Sequence, residues 1–146
     1  MEPCNADRWD MTILFGPGIP VGRPFFRNVK VTGGVIKGDV TDEENNPISD
    51  LGGTCVPIVG LNIPEVSQMT FLFRMKDAGS EIGIFLIGYA FTPAAPPGPE
   101  PPKPSFFGTW LAHPPGADTP QATGDAPAGF ILPGSGDTGS GTGTGT

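Results

Sequence analysis

Residues 69–113 hold the densest concentration of large apolar side chains in the chain, and their spacing admits few folds. Met69, Phe71, Phe73 and Met75 alternate with Thr70, Arg74 and Lys76, with Leu72 the exception. Successive side chains of a strand point to opposite faces, so this spacing predicts a strand with one face in a core and one in water. Asp77-Ala78-Gly79-Ser80 supplies turn chemistry, because glycine tolerates positive φ and Asp and Ser bond their own backbone. Residues 82–91 follow and are apolar on both faces. A strand of that kind should be covered on both faces or lie centrally in a sheet. Its Ile, Phe and Tyr, with two glycines, favour a strand over a buried helix. Residues 106–112 predict a third strand, with Phe106 and Trp110 on one face and Phe107 and Leu111 on the other.

Upstream, Trp9–Phe15 predicts a first strand, stopped by Gly16-Pro17-Gly18-Ile19-Pro20 because proline cannot donate to a central ladder. Phe25–Thr32 resumes the extended pattern. Gly33-Gly34, between it and residues 35–40, predicts a hairpin with Val31 opposite Ile36 and Lys30 opposite Lys37. The like-charge pair weakens that register. Residues 42–47 read as a polar turn. Residues 48–59, broken by Gly52-Gly53 and Pro57, predict an edge strand or an irregular segment, and residues 60–65 a connector. Residues 93–104 carry seven prolines in twelve positions and predict an exposed polyproline II loop. Beyond His113 only Phe130-Ile131-Leu132 is apolar, and it is expected to dock on the sheet as a short last strand. Residues 134–146 are nearly all Gly, Ser and Thr, with nothing to bury, and predict a disordered tail. The expected organisation is one β domain over residues 1–133 and the tail over 134–146. The fold expected is all-β: an antiparallel meander of seven or eight strands forming a small barrel or a sandwich.

Composition agrees with many turns between strands, since the chain of 146 residues has 23 glycines and 19 prolines. No stretch sustains helical apolar spacing with caps. A formal net charge of −7, with the eight basic residues scattered, argues against nucleic-acid binding. Residues 1–8 are polar and lack the apolar run of a secretory leader, and residues 82–91 are about half a membrane span. With Met1 as the start, the expected location is cytoplasmic, without a membrane partner. Cys4 and Cys55 are too few for a disulfide scaffold, and whether they pair stays open. With a single histidine they make a poor zinc set.

The motifs that carry chemistry are sparse. Gly134-Ser135-Gly136-Asp137-Thr138-Gly139 has the G-x-G-x-x-G spacing of dinucleotide-binding turns, but that mechanism needs a helix N-terminus next, and a Gly-Thr repeat follows. Asp39, Asp42, Glu43 and Glu44, beside Asn45 and Asn46, offer oxygen ligands of the kind calcium takes, without a calcium-loop spacing. A solvated turn explains them as well, and nothing places them in an apolar cleft that would raise a carboxyl pKa. His113 would need Cys55 or a serine as nucleophile, and no G-x-S-x-G is present. Pro96–Pro99 and Pro99–Pro102 have P-x-x-P spacing, with Lys103 as the nearby cation. No enzymatic activity, cofactor or metal is expected. Phe71, Phe73, Tyr89, Phe107 and Trp110 are the candidate ligand-binding residues, because small barrels of about eight strands hold one small ligand in the mouth. The alternative is that these aromatics fill the core.

Ile36-Lys37-Gly38-Asp39-Val40, Leu86-Ile87-Gly88-Tyr89 and Phe107-Gly108-Thr109-Trp110-Leu111 each set a glycine just before an aromatic or small polar residue. In order and spacing these resemble the strand series of avidin-like (calycin-type) β-barrels, over residues 30–113. Residues 69–77 would stand at that family's fifth strand, Gly88-Tyr89 in the sixth and Thr109-Trp110-Leu111 in the seventh. The family's opening Gly-x-Trp has no match, since Trp9 sits in Arg-Trp-Asp. Phe71 or Phe73 replaces the fifth-strand Trp, and the polar residues that grip biotin have no clear counterparts. The resemblance implies a meander barrel with Trp110 pointing inward, not biotin binding.

The function expected is a non-enzymatic binding or interaction module. One alternative is a carrier of a small apolar ligand in an avidin-like or calycin-like cavity. Another is a structural or assembly protein associating through sheet edges. The expected partner is a protein or a small apolar ligand, with homo-oligomerisation open.

Overall fold

The computed structural model describes residues 2–16, 18–58, 66–93, 98–116 and 119–146. The connector expected at 60–65, Pro17 and positions 94–97 of the proline-rich loop lie outside them. Among the described residues nine strands follow in order: β1 (Trp9–Phe15), β2 (Ile19–Gly22), β3 (Phe25–Thr32), β4 (Val35–Thr41), β5 (Pro47–Pro57), β6 (Val66–Asp77), β7 (Ser80–Phe91), β8 (Ser105–His113) and β9 (Thr138–Gly145). From β3 to β9 each strand pairs antiparallel with the next, and β9 pairs with β1 along its whole length. β1 closes the ring on β3, giving an eight-stranded barrel, with the short β2 as an extra strand on the same edge of β1. Of the two architectures the sequence allows, the closed barrel is the one adopted.

Local chemistry accounts for the hairpins. Gly33 and Gly34 both have positive φ, and Val31 faces Ile36 and Lys30 faces Lys37, the register read from the sequence. A two-residue turn of that kind matches the twist of the strands it joins. Ala78 and Gly79 do the same between β6 and β7, where Asp77 pairs with Ser80. On β6 the alternation holds: Met69, Phe71, Phe73 and Met75 are all buried. They meet Trp9, Phe26, Phe106 and Trp110, also buried. Phe71 is the hub, with ring centroids 6.0 Å from Trp9, 4.9 Å from Phe26 and 5.3 Å from Phe106. Tilted and edge-on ring pairs at such distances add to what area burial alone contributes.

The 134–146 segment is not a disordered tail. Residues 138–145 form β9, which seals the barrel between β8 and β1. Its alternation is strict: Gly139, Gly141, Gly143 and Gly145 face inward, and Thr138, Ser140, Thr142 and Thr144 face outward. A Cβ on Gly139 would collide with the Leu14 carbonyl oxygen, one on Gly141 with Leu86, and one on Gly143 with Met11. The neighbouring strands therefore supply the bulk that β9 lacks. Trp110 Nε1 donates to the Leu14 carbonyl at 2.8 Å, which ties β8 to β1 over the glycine strand.

β5 is also more regular than expected. It is an eleven-residue strand paired on both sides, not an edge. Gly53, with φ of 146°, leaves room for the Thr70 carbonyl of β6, so the glycine serves close strand approach rather than a break. Phe130 and Leu132 do pack against the core, as expected, but as an irregular segment whose Ile131 N–H donates to Val21 O at 2.8 Å. They belong to a strap between β8 and β9, described over 114–116 and 119–137, that lies over one end of the barrel. Thr123 N–H donates to Ile48 O at 3.0 Å, and Asp50 N–H to Gln121 O at 3.1 Å, so the strap adds a short pairing to β5. Arg74 anchors the strap. Its guanidinium donates to the Thr119 hydroxyl and the Gly116 carbonyl, and pairs with Glu81 at 3.2 Å. At the other end, a 3-10 turn (Pro3–Asn5) is held by a Cys4–Cys55 disulfide, which settles the pairing left open above.

Two stability tests follow from this packing. Gly139→Ala should lower the unfolding free energy by about 3 kcal/mol through overpacking. Thr142→Ala on the outer face should change it by no more than about 0.5 kcal/mol. Urea unfolding followed by tryptophan fluorescence separates the two, and equal small effects would contradict a packed β9. Replacing both cysteines by alanine opens a loop spanning a sequence separation of 51, and should cost about 4 kcal/mol in the same assay.

Candidate functional site

Residues 82–91 are apolar on both faces, and the barrel covers only one of them. Ile82, Ile84, Leu86 and Ala90 of β7 are buried inside. On the outer face Ile87, Tyr89 and Phe91 remain open to solvent. The expected cover on both faces is therefore not supplied within the described residues.

The register shows what surrounds this uncovered face. Val56, Gln68, Tyr89, Phe107 and Thr142 stand side by side across β5 to β9. The next outward row is Thr54, Thr70, Ile87, Thr109 and Ser140. In that row the Thr54 and Thr70 hydroxyls lie 2.7 Å apart. Phe91 and Phe107 meet edge to face at 6.3 Å. Exposure is large for side chains of this type: 55% for Phe107, 53% for Val56, 48% for Leu111 and 45% for Tyr89. Scattered surface apolar residues are ordinary, but a contiguous group like this is not.

Charge is distributed around the barrel with equal asymmetry. The outward positions from Val66 to Leu72 on β6, Phe85 to Phe91 on β7, Ser105 to Leu111 on β8 and Thr138 to Thr144 on β9 include no Asp, Glu, Lys or Arg. The opposite side is charged. Arg8 pairs with Asp10 at 2.9 Å, and the guanidinium groups of Arg8 and Arg27 lie 5.0 and 5.1 Å from the Phe25 ring centroid. Lys30, Lys37 and Asp39 stand exposed beside them on β3 and β4.

The five aromatics read as a ligand-binding set do not come together. Phe71, Phe73 and Trp110 lie inside the barrel, within the packed core, whereas Tyr89 and Phe107 lie outside. Phe107 and Trp110 are three residues apart on one strand, and period two sends them to opposite faces. Val56, Ile87, Phe91 and Leu111, which the sequence reading left out of the set, share the outer face with Tyr89 and Phe107. The signal that could have found three of them is the two-sided apolar character of residues 82–91 together with the outward parity of Leu111.

Other candidate groups are placed apart or committed to structure. His113 ends β8 beneath the strap, and Cys55 lies in a disulfide at the other end of the barrel, so the two cannot act together. The G-x-G-x-x-G run leads into β9 instead of a helix, and Asp137 accepts the Gly134 N–H at 2.6 Å. Pro104 of the proline-rich loop is buried, and its carbonyl accepts the Gly145 N–H at 2.8 Å, so that end of the loop is packed instead of exposed. An open cleft of about 490 Å³ lies outside β1 and β2, between Arg23, Phe130 and the Asp42–Glu44 turn. Asp42 closes that turn by accepting the Glu44 N–H at 2.9 Å, the Asn46 N–H at 2.8 Å and the Asn46 side-chain amide at 3.0 Å. Burial pushes its carboxyl up, but the hydrogen bonds from Asn46 and Glu44 and the charge of Arg27 outweigh that and hold it below its ordinary value.

Compared with known proteins, the chain matches no family model, no curated protein and no solved structure.

The Asp42 turn makes a pH-dependent contribution to stability. Because the folded carboxyl is held below its ordinary value of 3.8, the contribution is full above that value and disappears as pH falls through the lowered folded one. Asp42→Asn should therefore unfold at lower urea than the wild type at about pH 7, and at nearly the same urea at about pH 2. A difference that does not change with pH would contradict this role.

Proposed function

We propose that this barrel is a non-enzymatic binding or interaction module whose working surface is the uncharged part of the outer face of β6 to β8, around Tyr89 and Phe107. The observation that carries the reading is the aromatic and aliphatic group around Tyr89 and Phe107. It is exposed on a strand whose sequence is apolar on both faces. Burial of such a group on a partner is favourable by roughly 25 cal/mol per Å² of apolar surface before the losses of association are counted. A carrier of a small apolar ligand is less well supported, because Trp9, Phe26, Phe71, Phe73, Phe106 and Trp110 occupy the interior. Association through sheet edges is also less well supported, since the ring of strands is closed and, among the described residues, what borders it is the four-residue β2 and the short pairing of the strap with β5. The Cys4–Cys55 bridge favours an oxidising compartment over the cytoplasm. Among the described residues no helix is long and apolar enough to cross a membrane.

The reading is tested with three baits: wild type, a Tyr89→Ser/Phe107→Ser variant, and a Lys30→Ala/Lys37→Ala variant of the charged side. Quantitative capture from the source extract should give a partner held by wild type and by the lysine variant but lost from the aromatic variant. A partner retained equally by all three would remove the outer face from the proposal.

A further inference from the structure

We infer that the occupant of this outer face is the same face of a second copy of this chain; the inference rests on the reading above and names its partner. Three observations favour a copy over an unrelated protein. The first is electrostatic. The chain carries a net charge of −7, so two copies repel except where they meet through surface that carries no charge. The outward positions 66–72 of β6, 85–91 of β7, 105–111 of β8 and 138–144 of β9 provide such a surface, bordered at the strap end by Arg74, Lys76 and Glu81, while Asp10, Asp39 and the Asp42–Glu44 turn lie around the far side. A basic partner would be drawn to those carboxylates, not to this face.

The second is chemical self-complementarity. The face consists of apolar groups flanked by the hydroxyls of Thr109, Ser140 and Thr142, with the Thr70 hydroxyl already paired to Thr54. A hydroxyl both donates and accepts, so one row of hydroxyls pairs with a copy of itself, which a row of carboxylates or ammonium groups cannot do. A twofold contact places the same patch on both sides, and this composition meets that condition.

The third is area. From the sizes of Ile87, Tyr89, Phe91, Phe107 and Leu111 and their exposure, the aromatic and aliphatic residues of β7 and β8 offer roughly 500 Å² on each copy. A specific interface buries at least about 600 Å² per partner, and the surrounding Gln68, Thr70 and Thr109 bring the face to that range. The closed ring leaves no long strand edge to join, so the contact is face on face.

The chain has one tyrosine, and it stands in the middle of the face, so its modification reports occupancy directly. Sedimentation equilibrium of the full chain over a concentration series should give a dimer. Nitration of Tyr89 should slow as the dimer forms. Phe107→Asp should weaken association by about 30-fold or more and restore fast nitration. Lys37→Glu, on the charged side, should leave association unchanged. Because Phe107→Asp could disturb folding, Leu111→Ser is measured alongside it, with far-ultraviolet circular dichroism on each. A wild-type chain that stays monomeric with Tyr89 freely nitrated overturns the self-association. If the aromatic variant still loses its captured partner in that case, the interaction reading survives. A dimer that keeps Tyr89 reactive and is indifferent to both substitutions uses another surface. It overturns the inference, and equal capture by all three baits would then remove the interaction reading as well.

Discussion

Trp110 reaches across β9 to the carbonyl of Leu14, and it can do so because Gly139 has no side chain. The rest of the structure depends on this close approach. With glycine at every inward position of β9, the large side chains of β1, β7 and β8 fill the space that another strand would have filled itself. Each inward glycine gives up conformational entropy and apolar contact of its own. The return is a ring with no open seam and a core in which Trp9, Phe71 and Phe106 meet directly. The strap, anchored by Arg74, covers one end, and the bridged turn at Cys4 lies at the other.

Closure has a consequence for function. The interior of this barrel is packed with aromatic rings, and its outside is two-sided. Charges gather over β1, β3 and β4, while β6 to β9 present threonine, serine and uncovered apolar groups. The excess of 15 acidic over eight basic residues opposes indiscriminate association of such chains. It also narrows which surfaces can approach that face closely.

Much of the fold is legible in the residues. The period of two in Met69, Phe71, Phe73 and Met75, and the paired glycines at 33 and 34, lead to the observed strand, register and turn because each depends on local geometry alone. β9 is different. Its composition is that of a flexible linker, yet its Gly-Thr alternation has the period of a strand with one very small face. The bulk that stabilises it comes from Met11, Leu86 and Trp110, far away in sequence, so composition alone hides it. β5 misleads for a related reason: Gly53 looks like a break until the Thr70 carbonyl is seen to need the space. The proposed outer face is half legible. Residues 82–91 announce a strand meant for cover on both sides, whereas grouping Phe107 with Trp110 overlooked that a spacing of three puts them on opposite faces.

The glycine-rich strand closes a filled barrel, and the proposed outer working surface rests on that closure. Amide hydrogen exchange of residues 138–145 in the intact protein tests it most directly. Protection comparable to that of β7, lost only on global unfolding, is the outcome this account predicts. Exchange at the rate of an unstructured peptide would contradict it, because the barrel would then be open between β1 and β8.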